Sequence, residues 1–155
     1  MHKRAPLFFV LACTAALSVV SCKKEKHGCG GNLCFTLDGK DISVNAVRRT
    51  LPNDRSRLYW EEGADSNYKN LEIDIFGTTA ARYGLDDNAG SLGDAGFRYT
   101  VVENGLQTVF MAVNGTLDVT SAGQDAWSGN FSGTVNNGTV SLELKDGIFT
   151  NVPKE

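Results

Sequence analysis

The chain of 155 residues carries 15 basic and 18 acidic residues, a formal net charge of −3, and 41% of its residues are hydrophobic. That is enough for one folded domain, and the acidic balance excludes a nucleic-acid binder, which needs a basic patch to meet a phosphate backbone. Both histidines, His2 and His27, precede the first strand-like pattern, so no rigid element supplies a histidine base for a Ser-His-Asp or Cys-His arrangement.

Lys3 and Arg4 open the chain, and Leu7 to Val20 is an uncharged apolar run. A permanent spanning helix needs about 20 residues, so this run suits the apolar core of an export signal instead. It ends in Val19-Val20-Ser21-Cys22, which resembles the bacterial lipobox: a branched apolar residue, a tolerant position, a small residue and the cysteine that takes the lipid. Residues 1–21 are therefore expected to be a lipoprotein signal peptide, with cleavage before Cys22 and lipid on Cys22. Val10-Leu11-Ala12-Cys13 fits the same pattern but leaves only a short apolar stretch upstream. One acyl chain binds a membrane marginally, at about 0.8 kcal/mol per buried methylene, whereas several chains on one cysteine anchor stably. The expected location is the outer membrane, on its periplasmic or cell-surface face. Lys23 replaces the aspartate that favours inner-membrane retention, and a lysine followed by acidic residues resembles a surface-export signal of the Bacteroidota. Here Glu25 is the one acidic residue and Lys26 interrupts the run.

Residues 22–32 read as a lipidated tether, polar and rich in glycine at Gly28, Gly30 and Gly31. As a flexible coil it reaches roughly 17 Å, which keeps the domain close to the membrane. With Cys22 acylated, Cys29 and Cys34 remain as a pair in an oxidising compartment, which favours a disulfide. A metal site from His27, Cys29 and Cys34 lacks a fourth ligand nearby, so no metal is expected.

From residue 33 to 153 the chain reads as one β domain. Leu33, Phe35 and Leu37 alternate with polar positions, as do Ile42, Val44 and Ala46, then Leu71, Ile73 and Ile75, and finally Val140, Leu142 and Leu144. Each run puts one face on a core and one in water. Asp38-Gly39, Asn104-Gly105, Asn114-Gly115, Asn137-Gly138 and Asp146-Gly147 are dipeptides that favour tight hairpin turns. Strands are expected at about 33–37, 40–48, 57–62, 69–76, 80–84, 96–103, 106–113, 115–121, 126–136, 139–145 and 147–152. The predicted fold is all-β: an antiparallel β-sandwich or flattened up-and-down barrel of about 9–11 short strands joined by hairpins. Phe97–Val102 and Val109–Val113 carry apolar residues on both faces and are expected to be central strands covered on both sides, the alternative being strands whose outer face is a binding surface.

The segment from Leu85 to Gly96 is the one long irregular stretch, with Asp86, Asp87, Asn88 and Asp94 among glycines. Such oxygens can hold calcium, although the spacing fits no EF-hand; ordinary turn chemistry, in which Asp and Asn bond their own backbone, is the expected role.

Ser128-Gly129-Asn130-Phe131, Gly138-Thr139-Val140-Ser141-Leu142 and Asp146-Gly147-Ile148-Phe149 together resemble the closing segment of uncharacterised β-rich lipoprotein domains of the Bacteroidota. Phe35-Thr36-Leu37-Asp38-Gly39-Lys40 is similar to their opening. The resemblance covers most of residues 33–152 and implies a fold and an envelope setting, with no activity and no catalytic residues attached.

No phosphate-binding loop, zinc set or dinucleotide fingerprint appears, and no cofactor is expected. Carboxylate pairs such as Glu72 with Asp74 are within the spacing of a glycosidase pair, but a solvated outer strand face is the expected explanation for them. The functional expectation is a lipid-anchored envelope protein, monomeric and not an enzyme, acting as a non-catalytic binding module for a glycan or a protein partner. Tyr59, Trp60, Tyr68, Tyr83 and Trp127 are the candidate aromatic contacts, with Tyr59 and Trp60 on opposite faces of their strand, one in the core and one outside. Trp60 or Trp127 is the expected anchor, on an outer sheet face or the Leu85–Gly96 loop. The alternative is a small-ligand carrier with a lipocalin-like cavity.

Overall fold

The computed structural model describes residues 29–155; residues 1–21, expected to be a signal peptide, and Cys22 and His27 lie outside them. Ten strands follow in chain order: β1 (Leu33–Leu37), β2 (Lys40–Val44), β3 (Val47–Leu51), β4 (Arg55–Ala64), β5 (Asn67–Phe76), β6 (Arg82–Leu85), β7 (Asp94–Glu103), β8 (Leu106–Ala122), β9 (Ala126–Asn136) and β10 (Ser141–Pro153). No helix occurs among the described residues. The strands form one sheet in the order β2-β1-β10-β9-β8-β6-β7-β5-β4-β3, with β8 also pairing directly to β7.

The two edges of this sheet, β2 and β3, are consecutive in the chain, with only Asn45 and Ala46 between them. A sheet whose edges are joined by two residues must curl back on itself, so it is a flattened barrel closed by a kinked strand and not by a continuous ladder. Asn32 clamps the kink. Its amide donates to Ala46 O and accepts from Ala46 N, both at 2.8 Å. At the far side of the kink, Arg48 bridges to Lys154, and Glu155 N donates to Arg48 O at 3.0 Å.

The inner faces fill the middle of the barrel. Phe35 on β1 meets Phe97 and Tyr99 on β7 edge-on, at 5.5 and 5.7 Å between ring centroids, and Phe131 on β9 at 6.1 Å. Edge-to-face pairs at this separation contribute about 1 kcal/mol each beyond their burial. Leu58, Leu71, Ile73, Ile75 and Leu117 are fully buried around them.

The resembled motif has a direct physical meaning. In the β9–β10 register Phe131 faces Gly147 and Phe149 faces Gly129. A Cβ at Gly129 would lie 2.3 Å from the Phe149 ring, and one at Gly147 would lie 2.5 Å from the Phe131 ring. Each phenylalanine therefore lies over the glycine of the other strand.

Several strand boundaries differ from expectation, for identifiable reasons. The expected strand 40–48 is split at Asn45-Ala46, where the chain passes from one sheet edge to the other. Strands 106–113 and 115–121 are one strand, β8, and 139–145 and 147–152 are one strand, β10. Neither Asn114-Gly115 nor Asp146-Gly147 is a hairpin: Asn114 and Gly115 (φ 148°) pair in register with Thr134 and Gly133 just after a bulge at Val113, and Asp146 (φ 52°) lies within the bulge between Leu144 and Gly147. Bulges bend a strand without ending it. Asp38-Gly39 and Asn104-Gly105 do form the expected turns, with φ of 51° and 70°, and of 53° and 76°. The sheet is also mixed, because β6 runs parallel to β7. The segment between them reverses twice and lays Asp94-Ala95 beside Gly84-Leu85.

The register gives the barrel two distinct ends. The turns at 38–39, 65–66, 104–105 and 137–140 share one end, where Gly105 N donates to Ser66 O at 2.9 Å. The chain enters at residue 29 at the other end, with the C-terminus. There Cys29 and Cys34 are joined by a disulfide, with Cα atoms 5.8 Å apart.

Candidate binding face on strands β3 to β7

Alternation along β4 puts Leu58 in the core and Arg57, Tyr59 and Glu61 outside. On β5 the same phase buries Leu71, Ile73 and Ile75 and turns Asn70, Glu72 and Asp74 outward. The pairing brings Arg57 opposite Asp74 and Tyr59 opposite Glu72. Arg57 donates to both oxygens of Asp74, at 2.7 and 2.8 Å, and to Glu72 at 3.1 Å. The hydrogen bond to Asp74 is the main reason the Arg57 pKa is raised. Opposite charges facing each other across a ladder stabilise the sheet by about 0.5 kcal/mol per pair.

This arrangement answers the carboxylate-pair question for Glu72 and Asp74. Both oxygens of Asp74 and one of Glu72 accept from the same Arg57 guanidinium. The pair is an ion-pair ladder.

Toward the end remote from residue 29, a groove of about 480 Å³ opens on the same face. It is lined by Tyr59, Glu61, Ala64, Asp65, Tyr68, Asn70 and Glu72. Tyr59 is held from two directions. The Arg49 guanidinium stacks 4.0 Å from its ring centroid, and its hydroxyl donates to Glu61. That bond to Glu61, followed by burial, raises the pKa of the phenol. Arg49 is itself paired with Glu155, so the C-terminal residue helps to fix the ring. Asp65, with φ 54°, forms the turn at the tip of the β4–β5 hairpin.

A second, smaller depression of about 190 Å³ lies between this face and the 86–94 segment, with Arg55, Arg57, Arg98, Asp74, Asp86 and Asp87 among its walls. The segment's carboxylates are turned onto their own backbone. Asp86 accepts from Asn88 N at 2.8 Å, and Asp94 accepts from Ser91 N at 2.9 Å. Among the described residues no group of three or more His, Cys, Asp or Glu side chains is placed to hold a metal.

The expected aromatic anchors are not on the outer face. Trp127 is 2% exposed, its indole N–H donates to Gly123 O at 3.1 Å, and the Arg48 guanidinium lies 5.0 Å from its ring centroid. It closes the residue-29 end of the core and is not reachable as an anchor. Trp60 is half-buried on the inner face and packs against the core. Outward aromatics on this face include Tyr59 and Tyr68, which line the groove, and Phe76, which lies under Arg55 and lines the smaller depression. The phase of β4 carried this signal: Trp60 shares its face with Leu58, so the neighbouring Tyr59 must point outward.

The exposed ion pairs set an acid sensitivity. Arg49 beside Glu155 and Arg82 beside Asp118 hold these carboxyls below their usual range, and the Asn88 backbone amide does the same for Asp86. A depressed carboxyl stabilises the fold above its unfolded pKa and loses that contribution as pH falls through the lower folded value. Stability to urea is expected to hold from neutral pH to the ordinary carboxyl range, 3.8 to 4.5, and to fall below it. Added salt should reduce the change, because these pairs are solvated. A urea midpoint that rises on acidification contradicts this.

The chain matches no protein-family model, no curated protein and no solved structure.

Proposed function

We propose that this protein is a lipid-anchored envelope module that binds a partner, glycan or protein, on the outer face of β4 and β5 without transforming it. The observation that carries this reading is the Tyr59–Tyr68 groove, set on a rigid ladder at the end of the barrel remote from residue 29. An anchor on Cys22 places the tether at one end and leaves the opposite end facing away from the lipid. Support for the anchor comes from the lipobox-like Val19-Val20-Ser21-Cys22, and for the envelope setting from the likeness to Bacteroidota lipoprotein domains. The Cys29–Cys34 disulfide also suits an oxidising compartment. A carrier reading needs a central cavity, whereas the middle of this barrel is occupied by the rings of Phe35, Phe97, Tyr99 and Phe131.

The anchor is tested by Cys22→Ala in the native host. The variant is expected to keep its signal peptide and to lose metabolic acyl labelling, while the parent chain fractionates with the outer membrane. Acyl label that persists in the variant rules out Cys22 as the acceptor.

A further inference from the structure

The chemistry of the groove on β4 and β5 selects among partners, and this inference rests on the binding role proposed above. Its acidic walls are Glu61, Asp65 and Glu72, and among the described residues no Lys or Arg lines it. The floor adds an acceptor. Asn70 is only 8% exposed, and its Nδ2 donates to Trp60 O at 3.2 Å. Because that partner is a carbonyl, the amide must present its nitrogen there. Its Oδ1 receives no hydrogen bond from the described residues, and it belongs to a side chain that lines the groove. The Tyr59 hydroxyl is already committed as a donor to Glu61. The site is thus built of acceptors and aromatic rings, with Glu72 partly neutralised by Arg57 and with Glu61 and Asp65 facing no cation.

We infer that the groove takes a cationic side chain, the ammonium or guanidinium of a basic segment on a protein partner. An ammonium brings three donors and no acceptor, which complements this lining, and tyrosine rings attract it through their quadrupole. The Tyr59 ring already holds one guanidinium, that of Arg49. The wider charge agrees: residues 29–155 contain 10 basic and 17 acidic residues, so a basic partner is drawn in from a distance. A neutral glycan could donate to these carboxylates too, but it would bring acceptors as well as donors and would leave the negative charge of Glu61 and Asp65 uncompensated.

The test is calorimetric titration of the mature lipidated protein in detergent micelles with tetralysine amide, tetraglutamate and a neutral tetrasaccharide. Tetralysine is expected to bind, more weakly as salt rises, and the other two are not. Glu61→Gln, Asp65→Asn and Tyr68→Ala should each weaken tetralysine by about fivefold. Glu143→Gln, on the exposed part of β10, should change it by less than twofold. Equal losses in Glu143→Gln and Glu61→Gln would mean that net charge alone attracts the peptide, and would overturn the proposal. So would the absence of tetralysine binding. Salt-insensitive tetrasaccharide binding lost in Tyr68→Ala would overturn the cationic partner while leaving the binding module standing.

Discussion

Gly129→Ala and Gly147→Ala are each expected to destabilise the protein by about 3 kcal/mol, the upper end of what overpacking costs. A methyl at residue 129 meets Asp118 O at 2.2 Å and the Phe149 ring at 2.3 Å, and one at residue 147 meets Phe131 O and the Phe131 ring, both at 2.5 Å. Backbone on one side and a buried ring on the other leave no direction in which the methyl can move. The Phe131 ring cannot retreat, since it packs on Phe97 at 5.9 Å and on Phe35 at 6.1 Å, and Phe149 is buried in the core at 1% exposure. Urea denaturation of each variant measures the loss. Coupling is the sharper readout: Phe131→Leu frees space beside residue 147 only, so it should offset part of the Gly147→Ala loss and none of the Gly129→Ala loss. Losses under 1 kcal/mol at both glycines would show that the rings do not rest on them.

Asn32→Ala is expected to cost about 3 kcal/mol although it removes only one polar, half-buried side chain. Ala46 is 1% exposed, and both its N–H and its C=O are paired by the Asn32 amide at 2.8 Å. Truncation strands a buried donor and a buried acceptor, each costing about 1–3 kcal/mol. The position amplifies the effect, because Ala46 is where the chain crosses from one edge of the sheet to the other. Asn32→Asp keeps the acceptor for Ala46 N but turns a carboxylate toward Ala46 O, so it should not rescue. Reducing the Cys29–Cys34 disulfide opens a loop whose closure contributes about 2 kcal/mol on the chain-entropy account. It should therefore loosen the chain before residue 33 and cost less than Asn32→Ala. An Asn32→Ala variant as stable as the parent would show that the kink holds without its clamp.

The strands that alternate cleanly, β1 and β5, were legible from periodicity alone, because one buried face leaves a period-two record in the sequence. Phe35 and Phe131 were legible as core residues for the same reason. The bulges were not. Asn114-Gly115 and Asp146-Gly147 have the same local chemistry as the Asn104-Gly105 turn, and only the partner strands decide whether a positive φ turns the chain or merely bends it. The parallel β6–β7 pair was likewise invisible, since it involves only Gly84–Leu85 and Asp94–Ala95 and leaves no hydrophobic pattern. At the candidate site, sequence reasoning favoured tryptophan as the strongest generic anchor. The adjacency of Tyr59 and Trp60 already required opposite faces, and Leu58 fixes which one: the phase of β4 sends Trp60 inward and Tyr59 outward. Arg57 also escaped notice, because its role depends on facing Glu72 and Asp74 across a ladder.

Hydrogen–deuterium exchange on the mature lipidated protein, with and without solubilised envelope from its own host, tests the binding module most directly. The account predicts slowed exchange in Tyr59–Glu72, around the groove and the β4–β5 turn, with no change in residues 29–35 or 150–155 at the tethered end. Envelope-induced protection confined to the tethered end, or no protection anywhere in residues 29–155, would contradict it.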